Sequence, residues 1–332
     1  MPAHPYSFRL TRQQLSLDLE LTNKCHLSCA FCPRDKTPKT GFMAEQTFAT
    51  VLDRVEESPL PLSLVACGLG EPLLHPGLVD FVQEAARRGH QFAVNAAATL
   101  LDPGRAEALL AAGLTEMRFS ITGTGAAYEA YYGHDFASQV RLVREFRALA
   151  ARAGRCRTRI VIVLTREVYR QLDDILDFWG SQGFGRDDLI LLEEHNRSGS
   201  YSTGPGQTFN YRAGQHGYRC PIPFVLTFVG WNGNYYLCAL DWEKKTPFGN
   251  VFADSIAGIM ERKQEYFSGC EHACGNCSQQ RENYLHDISN NPFAPPRQAA
   301  EVYLQNDWHH QRLVSRIMAE SFNADSRSAE CP

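Results

Sequence analysis

Residues 15–32 read LSLDLELTNKCHLSCAFC. From Leu15 to Leu21 apolar and polar residues alternate with period two, the pattern of a strand that buries one face. The strand runs directly into a loop carrying Cys25, Cys29 and Cys32. Downstream the chain alternates helical and strand patterns. Helices are expected at Ala44 to Glu57, Gly77 to Arg88, Pro103 to Ala112, Phe136 to Ala151 and Tyr169 to Ser181. Strands are expected at Leu62 to Ala66, Gln91 to Val94, Glu116 to Ile121, Thr158 to Leu164 and Leu189 to Leu192. Six strand units, five of them followed by a helix, predict a parallel sheet with right-handed crossovers. Six are too few to close an eight-stranded barrel, so the expectation is an open partial barrel with its chemistry at the C-terminal strand ends.

The chain has 332 residues, with 44% hydrophobic and 21% charged residues, enough to bury a full core. A net charge of -4 argues against a nucleic-acid binder held by phosphate contacts. No apolar run is long enough for a membrane helix, and the first residues, MPAHPYSFRLTRQQ, lack a secretory pattern. A cytoplasmic location is expected. Eleven cysteines in such a chain point to metal or redox chemistry. They cluster: Cys25, Cys29 and Cys32 first, then Cys220, Cys238, Cys270, Cys274 and Cys277, while Cys67, Cys156 and Cys331 stand alone. A structural zinc site wants four ligands, and no fourth lies near the first group. A cubane cluster also takes four thiolates, so three leave one iron open for catalysis.

The CHLSCAFC spacing, with an aromatic before the last cysteine, resembles the radical S-adenosylmethionine superfamily over roughly residues 15 to 194. The resemblance implies a partial (β/α)6 barrel. It implies that Cys25, Cys29 and Cys32 ligate a site-differentiated [4Fe-4S] cluster whose open iron binds S-adenosylmethionine, with Phe31 beside the adenine. Reductive cleavage would then give a 5′-deoxyadenosyl radical. GLGEP, residues 68–72, resembles the family's GGEP motif, with Leu69 where glycine is commonest. Gly68, Gly70, Glu71 and Pro72 are the cofactor-binding positions this implies, with Glu71 and the backbone receiving the methionine amino group. Asn95 and Ser120, at the ends of the third and fourth strands, match polar positions that contact the methionine or ribose part.

A Gly, Ser and Pro-rich stretch at 196–207 reads as a linker. After it, VLTFVGWNGNYYLCAL reads as a hairpin, with Asn232-Gly233 the signal for a type I′ turn. Asp254 or Ser255 is expected to cap a short helix to about Phe267. Cys220 and Cys238 around this hairpin, followed by Cys274 and Cys277, resemble the ligands of a twitch domain, a shortened SPASM domain with one auxiliary [4Fe-4S] cluster. The expected domains are an extension at 1–14, the barrel at 15–205, the twitch domain at 206–285 and a helical tail at 286–332. Cys270 stays open as a replacement ligand, a free thiol near the substrate or a buried inert residue.

Asn196-Arg197-x-Gly resembles a strand-end motif of twitch enzymes acting on aminocyclitols, which makes Arg197 the first substrate-binding candidate. Asp241 matches an acidic position of that group. The tyrosines at 128, 131 and 132 read as core, and His26, His75 and His195 receive no chemistry. The expected substrate is a small polar molecule of aminosugar or aminoglycoside type. The expected reaction is epimerisation, with Cys270 returning a hydrogen atom and Cys67 in reserve. Dehydrogenation of a secondary alcohol through the auxiliary cluster and peptide maturation are the alternatives. The fourteen residues ahead of the first strand are expected to hold no leader-binding domain. A flavodoxin or ferredoxin is the expected electron donor, with no nucleic-acid or membrane partner.

Overall fold

The computed structural model describes residues 15–58 apart from 31, 33, 35, 36 and 38, then 62–193, 226–239, 241, 244 and 247–268. The barrel strands are β1 (Leu15–Leu19), β2 (Leu62–Ala66), β3 (Phe92–Ala96), β4 (Glu116–Ser120), β5 (Arg157–Leu164) and β6 (Leu189–Glu193). They pair in sequence order and in parallel, the register running from Leu17↔Leu64 to Ile162↔Leu191. The helices that follow them are α1 (Glu45–Glu57), α2 (Leu78–Arg87), α3 (Pro103–Ala112), α4 (Gly125–Tyr132), α5 (Phe136–Ala153), α6 (Arg166–Arg170) and α7 (Leu172–Ser181).

The sheet does not stop at β1. Strand β7 (Leu226–Val229) pairs parallel with its free edge, and β8 (Asn234–Tyr236) and β9 (Pro247–Asn250) add antiparallel. The result is one nine-stranded sheet in the order β6-β5-β4-β3-β2-β1-β7-β8-β9. The second cysteine region is therefore hydrogen-bonded to the strand that feeds the first. Helix α8 (Ile256–Ser268) closes the described chain; the Ser255 hydroxyl accepts the Gly258 N–H at 3.2 Å as its cap.

Period-two alternation sorts the strand residues onto two faces. Leu17, Leu19, Leu64, Ala66, Val94, Ala96, Met117, Phe119, Ile160 and Ile162 join the helix-side core. Each fully buried Leu or Ile stabilises this layer by about 1.5–3 kcal/mol. The residues between them, Asp18, Glu20, Cys67, Asn95, Arg118 and Ser120, face the barrel interior.

Three local readings are corrected. The hairpin turn is not type I′, because Asn232 keeps a negative φ. The Gly233 N–H bonds the Gly230 carbonyl at 2.9 Å, Gly233 takes φ +78, and the Gly230 N–H meets the Asn234 carbonyl at 2.9 Å. That is a three-residue loop with a left-handed glycine. Helix α4 was not anticipated; its tyrosines pack as core, with Tyr128 and Tyr132 buried and stacked at 4.7 Å. The helix expected from Tyr169 begins earlier, at Arg166, because the Thr165 side chain caps the Val168 N–H, and it breaks at Gln171. The linker, the boundaries at 205 and 285 and the tail lie outside the described residues.

Candidate active site

The loop after β1 is cinched at its base. Thr22 Oγ1 donates to the Gly41 carbonyl at 2.6 Å, Asn23 Nδ2 donates to the Lys39 carbonyl at 2.6 Å, and Asn23 Oδ1 accepts the Gly41 N–H at 2.9 Å. Between these ties the chain presents Cys25, Cys29 and Cys32, three half-buried thiols outside any disulfide. The Cys32 N–H bonds the Cys29 carbonyl at 3.0 Å, folding the last two cysteines into one turn. Arg34 braces the loop, donating to the Cys25 carbonyl and, at 2.8 Å, to Ser28 Oγ. From below, the Ala30 N–H bonds the Tyr131 carbonyl of α4 at 3.2 Å.

Burial first, then Cys32 and Cys25 beside it, push the Cys29 thiol up to about 12. Burial likewise raises Cys25, with Glu71 and Cys32 adding to the effect. Thiols that resist ionisation, as Cys25 and Cys29 do, are held as thiolates when a cationic centre sits beside them. Thiolates on one tetrahedral ion lie within about 4 Å of each other, given Zn–S bonds of about 2.3 Å. Among the described residues no three His, Cys, Asp or Glu side chains converge in that way. Three thiols on one loop fit three irons of a four-iron cluster, which leaves the fourth iron open.

The GLGEP turn lies against this loop. The Glu71 N–H bonds the Lys24 carbonyl at 2.9 Å. A Cβ on Gly70 would collide with the Thr22 carbonyl and lie 2.8 Å from Asn23 Cα, so only glycine permits the approach. Gly68 takes φ +118, while Leu69 between them keeps a negative φ and is buried without backbone strain. Glu71 is itself buried. Its Oε1 accepts the Leu73 N–H at 3.1 Å and its Oε2 accepts the Ala97 N–H at 2.8 Å. The carboxylate thus ties the turn to the end of β3, with Pro72 opening the short 3-10 turn it caps. Burial lifts Glu71 to about 7, against the two backbone donors that favour its charged form.

On the interior face, Asn95 Oδ1 is buried with no partner among the described residues, an acceptor free for a cofactor donor. Ser120 Oγ lies 3.4 Å from the Tyr132 hydroxyl, which also accepts the Thr122 N–H at 3.2 Å. Cys67, half-buried just after β2, lies near Asp18 and Arg118; burial and then the Asp18 charge hold its thiol well above the ordinary range. His75 is structural, bonded through Nε2 to the Met43 carbonyl at 2.9 Å and accepting the Gly77 N–H on Nδ1. His26 meets Thr99 Oγ1 at 2.7 Å at the surface.

In the second region, Cys238 is the second residue after β8 and is buried, and its carbonyl accepts the Asp241 N–H at 3.2 Å. The fully buried Lys263 of α8 lies within electrostatic reach of Cys238, and burial lowers it to about 8. Phe31, Arg197, Cys220, Cys270, Cys274 and Cys277 lie outside the described residues. Sequence reasoning passed over Glu20, Asp18 and Lys244. Glu20 carried a signal, as a carboxylate at an inward strand position; Lys244 carried none.

Comparison with known proteins now adds to this geometry. A radical SAM superfamily profile matches residues 19–178, and a SPASM iron-sulfur cluster-binding profile matches residues 220–279. The chain carries a radical SAM domain followed by a SPASM domain. These domains use S-adenosylmethionine and [4Fe-4S] clusters. A tungsten-containing aldehyde ferredoxin oxidoreductase cofactor-modifying protein of Pyrococcus furiosus is 27% identical over 73% of this chain and 80% of its own length. A PqqA peptide cyclase of Gluconobacter oxydans is 29% identical over 53% of this chain, which spans 48% of that relative. Among solved structures, anSMEcpe with AdoMet and a peptide aligns over 93% of this radical SAM protein and 100% of its own chain, at 15% identity and TM-score 0.62. SuiB of Streptococcus suis with its precursor peptide aligns over 86% and 75%, at 13% identity and TM-score 0.61. BtrN with AdoMet and 2-DOIA aligns over 80% and 93%, at 18% identity and TM-score 0.52. These likenesses show a shared fold, the partial barrel with its C-terminal extension. Among the described residues no helix is long and apolar enough to cross a membrane.

Proposed function

We propose that this radical SAM enzyme inverts a carbon centre of a small polar substrate, with a cysteine thiol returning the hydrogen atom. When bound, the reduced cluster and S-adenosylmethionine supply the 5′-deoxyadenosyl radical that removes that hydrogen. Cys25, Cys29 and Cys32 would hold the first cluster, with Phe31, Gly68, Gly70, Glu71, Pro72, Asn95 and Ser120 around the cofactor. Cys220, Cys238, Cys274 and Cys277 would hold the auxiliary one.

The observation that carries the reading is the Cys67 thiol. It faces the interior one residue before the cofactor turn, and burial and then Asp18 oppose its ionisation, which favours the S–H form. A neutral thiol donates a hydrogen atom to a carbon radical; the S–H bond breaks as the new C–H bond forms. The sulfur then regains one electron and one proton, the electron from a flavodoxin- or ferredoxin-type donor. Cys270 shares the candidacy from its proximity in sequence to Cys274 and Cys277, and Arg197 is the candidate for the polar substrate. A peptide substrate is the second reading, supported by the peptide-related names of the Gluconobacter relative and of the anSMEcpe and SuiB structures.

Turnover in deuterium oxide tests this, with aminocyclitols and short peptides as the substrates offered. One solvent-derived deuterium at an inverted carbon, lost in Cys67→Ala or Cys270→Ala while 5′-deoxyadenosine still forms, is the expected result. A product two mass units lighter than its substrate, undiminished in both variants, would establish dehydrogenation instead.

A further inference from the structure

Glu20 follows the last residue of β1, and its N–H bonds the Val229 carbonyl of β7 at 2.9 Å. Its side chain is fully buried and reaches the cofactor turn. Oε2 accepts the Leu69 N–H at 3.4 Å, and a Cβ built on Gly68 would lie 3.0 Å from Glu20 Cγ. Oε1 has no hydrogen-bond partner among the described residues. One long backbone bond is poor compensation for a buried carboxylate.

The compensation comes from the other domain. Lys244, in the connection between β8 and β9, places Nζ 3.4 Å from Glu20 Oε2, with 11% of its side chain exposed. The ammonium also lies over the Phe228 ring at 4.2 Å and the Tyr236 ring at 4.6 Å, from β7 and β8. Its backbone takes φ +55, a left-handed conformation that a long side chain adopts only where the surroundings hold it. A residue of the SPASM region is thus fastened, through one carboxylate, to the backbone of the cofactor turn.

We propose that Lys244 is a positioning residue for S-adenosylmethionine binding: it fixes Glu20, and Glu20 orders the Gly68 to Gly70 backbone that lies against the cluster loop. The auxiliary domain then helps to set the affinity of the first site without touching the cofactor. Charge loss at either end releases the same tie, so the two ends act as one unit.

The test uses the anaerobically reconstituted full chain and S-adenosylmethionine itself. Lys244→Met and Glu20→Gln are each expected to weaken S-adenosylmethionine binding about tenfold, with the double variant no weaker than either single one. Hydrogen exchange at 67–71, followed by mass spectrometry without cofactor, should speed up about tenfold in the same variants while α5 is unchanged. Lys244→Arg should restore both. If Lys244→Met also loses protection in α5, the test passes to Glu20→Gln, which keeps an acceptor for Leu69 but not the charge. Wild-type affinity with wild-type exchange at 67–71, or strictly additive losses in the double variant, would overturn the proposal.

Discussion

Glu71 Oε2 accepts the Ala97 N–H at 2.8 Å, so one buried carboxylate joins the turn after β2 to the backbone after β3. This bond links the C-terminal ends of two neighbouring strands. With burial holding its carboxyl near 7 against an ordinary 4.5, Glu71 links stability to pH. Below 4.5 both native and unfolded chains carry its proton. Between 4.5 and about 7 the unfolded chain has released it and the native chain has not, so native stability falls as pH rises, and above 7 the effect is flat. Relative to Glu71→Gln, the wild type is expected to lose about 2.5 kcal/mol between pH 5 and pH 8 in urea unfolding. A pH-independent difference would place the native carboxyl in its ordinary range.

Gly70→Ala is expected to be the most damaging single methyl addition at the site. Its Cβ would meet the backbone of Thr22 and Asn23, which are held by the bonds to Gly41 and Lys39 and cannot yield separately. A loss of about 2–3 kcal/mol in unfolding free energy, with S-adenosylmethionine binding lost as well, is the outcome to look for. Leu69→Ala removes a buried side chain without touching the turn's backbone conformation, so it should cost stability more than cofactor affinity.

The parts legible in the sequence were those with a short-range signature. Period-two alternation at Leu15 to Leu21 and the succession of five further strand patterns with helices between them announced the parallel sheet, and the spacing of Cys25, Cys29 and Cys32 marked out the loop after β1. Helix α4 was not legible, because it is short, opens on glycine and carries no clear periodicity. The hairpin was found but its turn misread, since Asn-Gly permits two left-handed residues and Trp231 and Asn232 leave only Gly233 so. The Lys244–Glu20 contact spans 224 positions, a separation no local pattern bridges. Leu69 looked like a departure from the motif; the structure shows why it is tolerated, because its φ is negative and its N–H is taken by Glu20.

Metal content separates the two cysteine groups. About eight irons per chain are expected after anaerobic reconstitution, from two four-iron clusters. Replacing Cys25, Cys29 and Cys32 together with Ala should leave about four, held by the second group. Zinc as the dominant metal in anaerobically purified protein would remove the assignment of both.

The central claim is that the loop at Cys25, Cys29 and Cys32, closed by the GLGEP turn, supports reductive cleavage of S-adenosylmethionine. Chromatography of a reduced, fully reconstituted sample incubated with S-adenosylmethionine measures this directly. The account predicts equal amounts of 5′-deoxyadenosine and methionine from the wild type, and neither from the variant with all three cysteines changed to Ala, although that variant keeps its second cluster. A fully loaded, reduced wild type that forms no 5′-deoxyadenosine, or a triple variant that forms as much as the wild type, would contradict it.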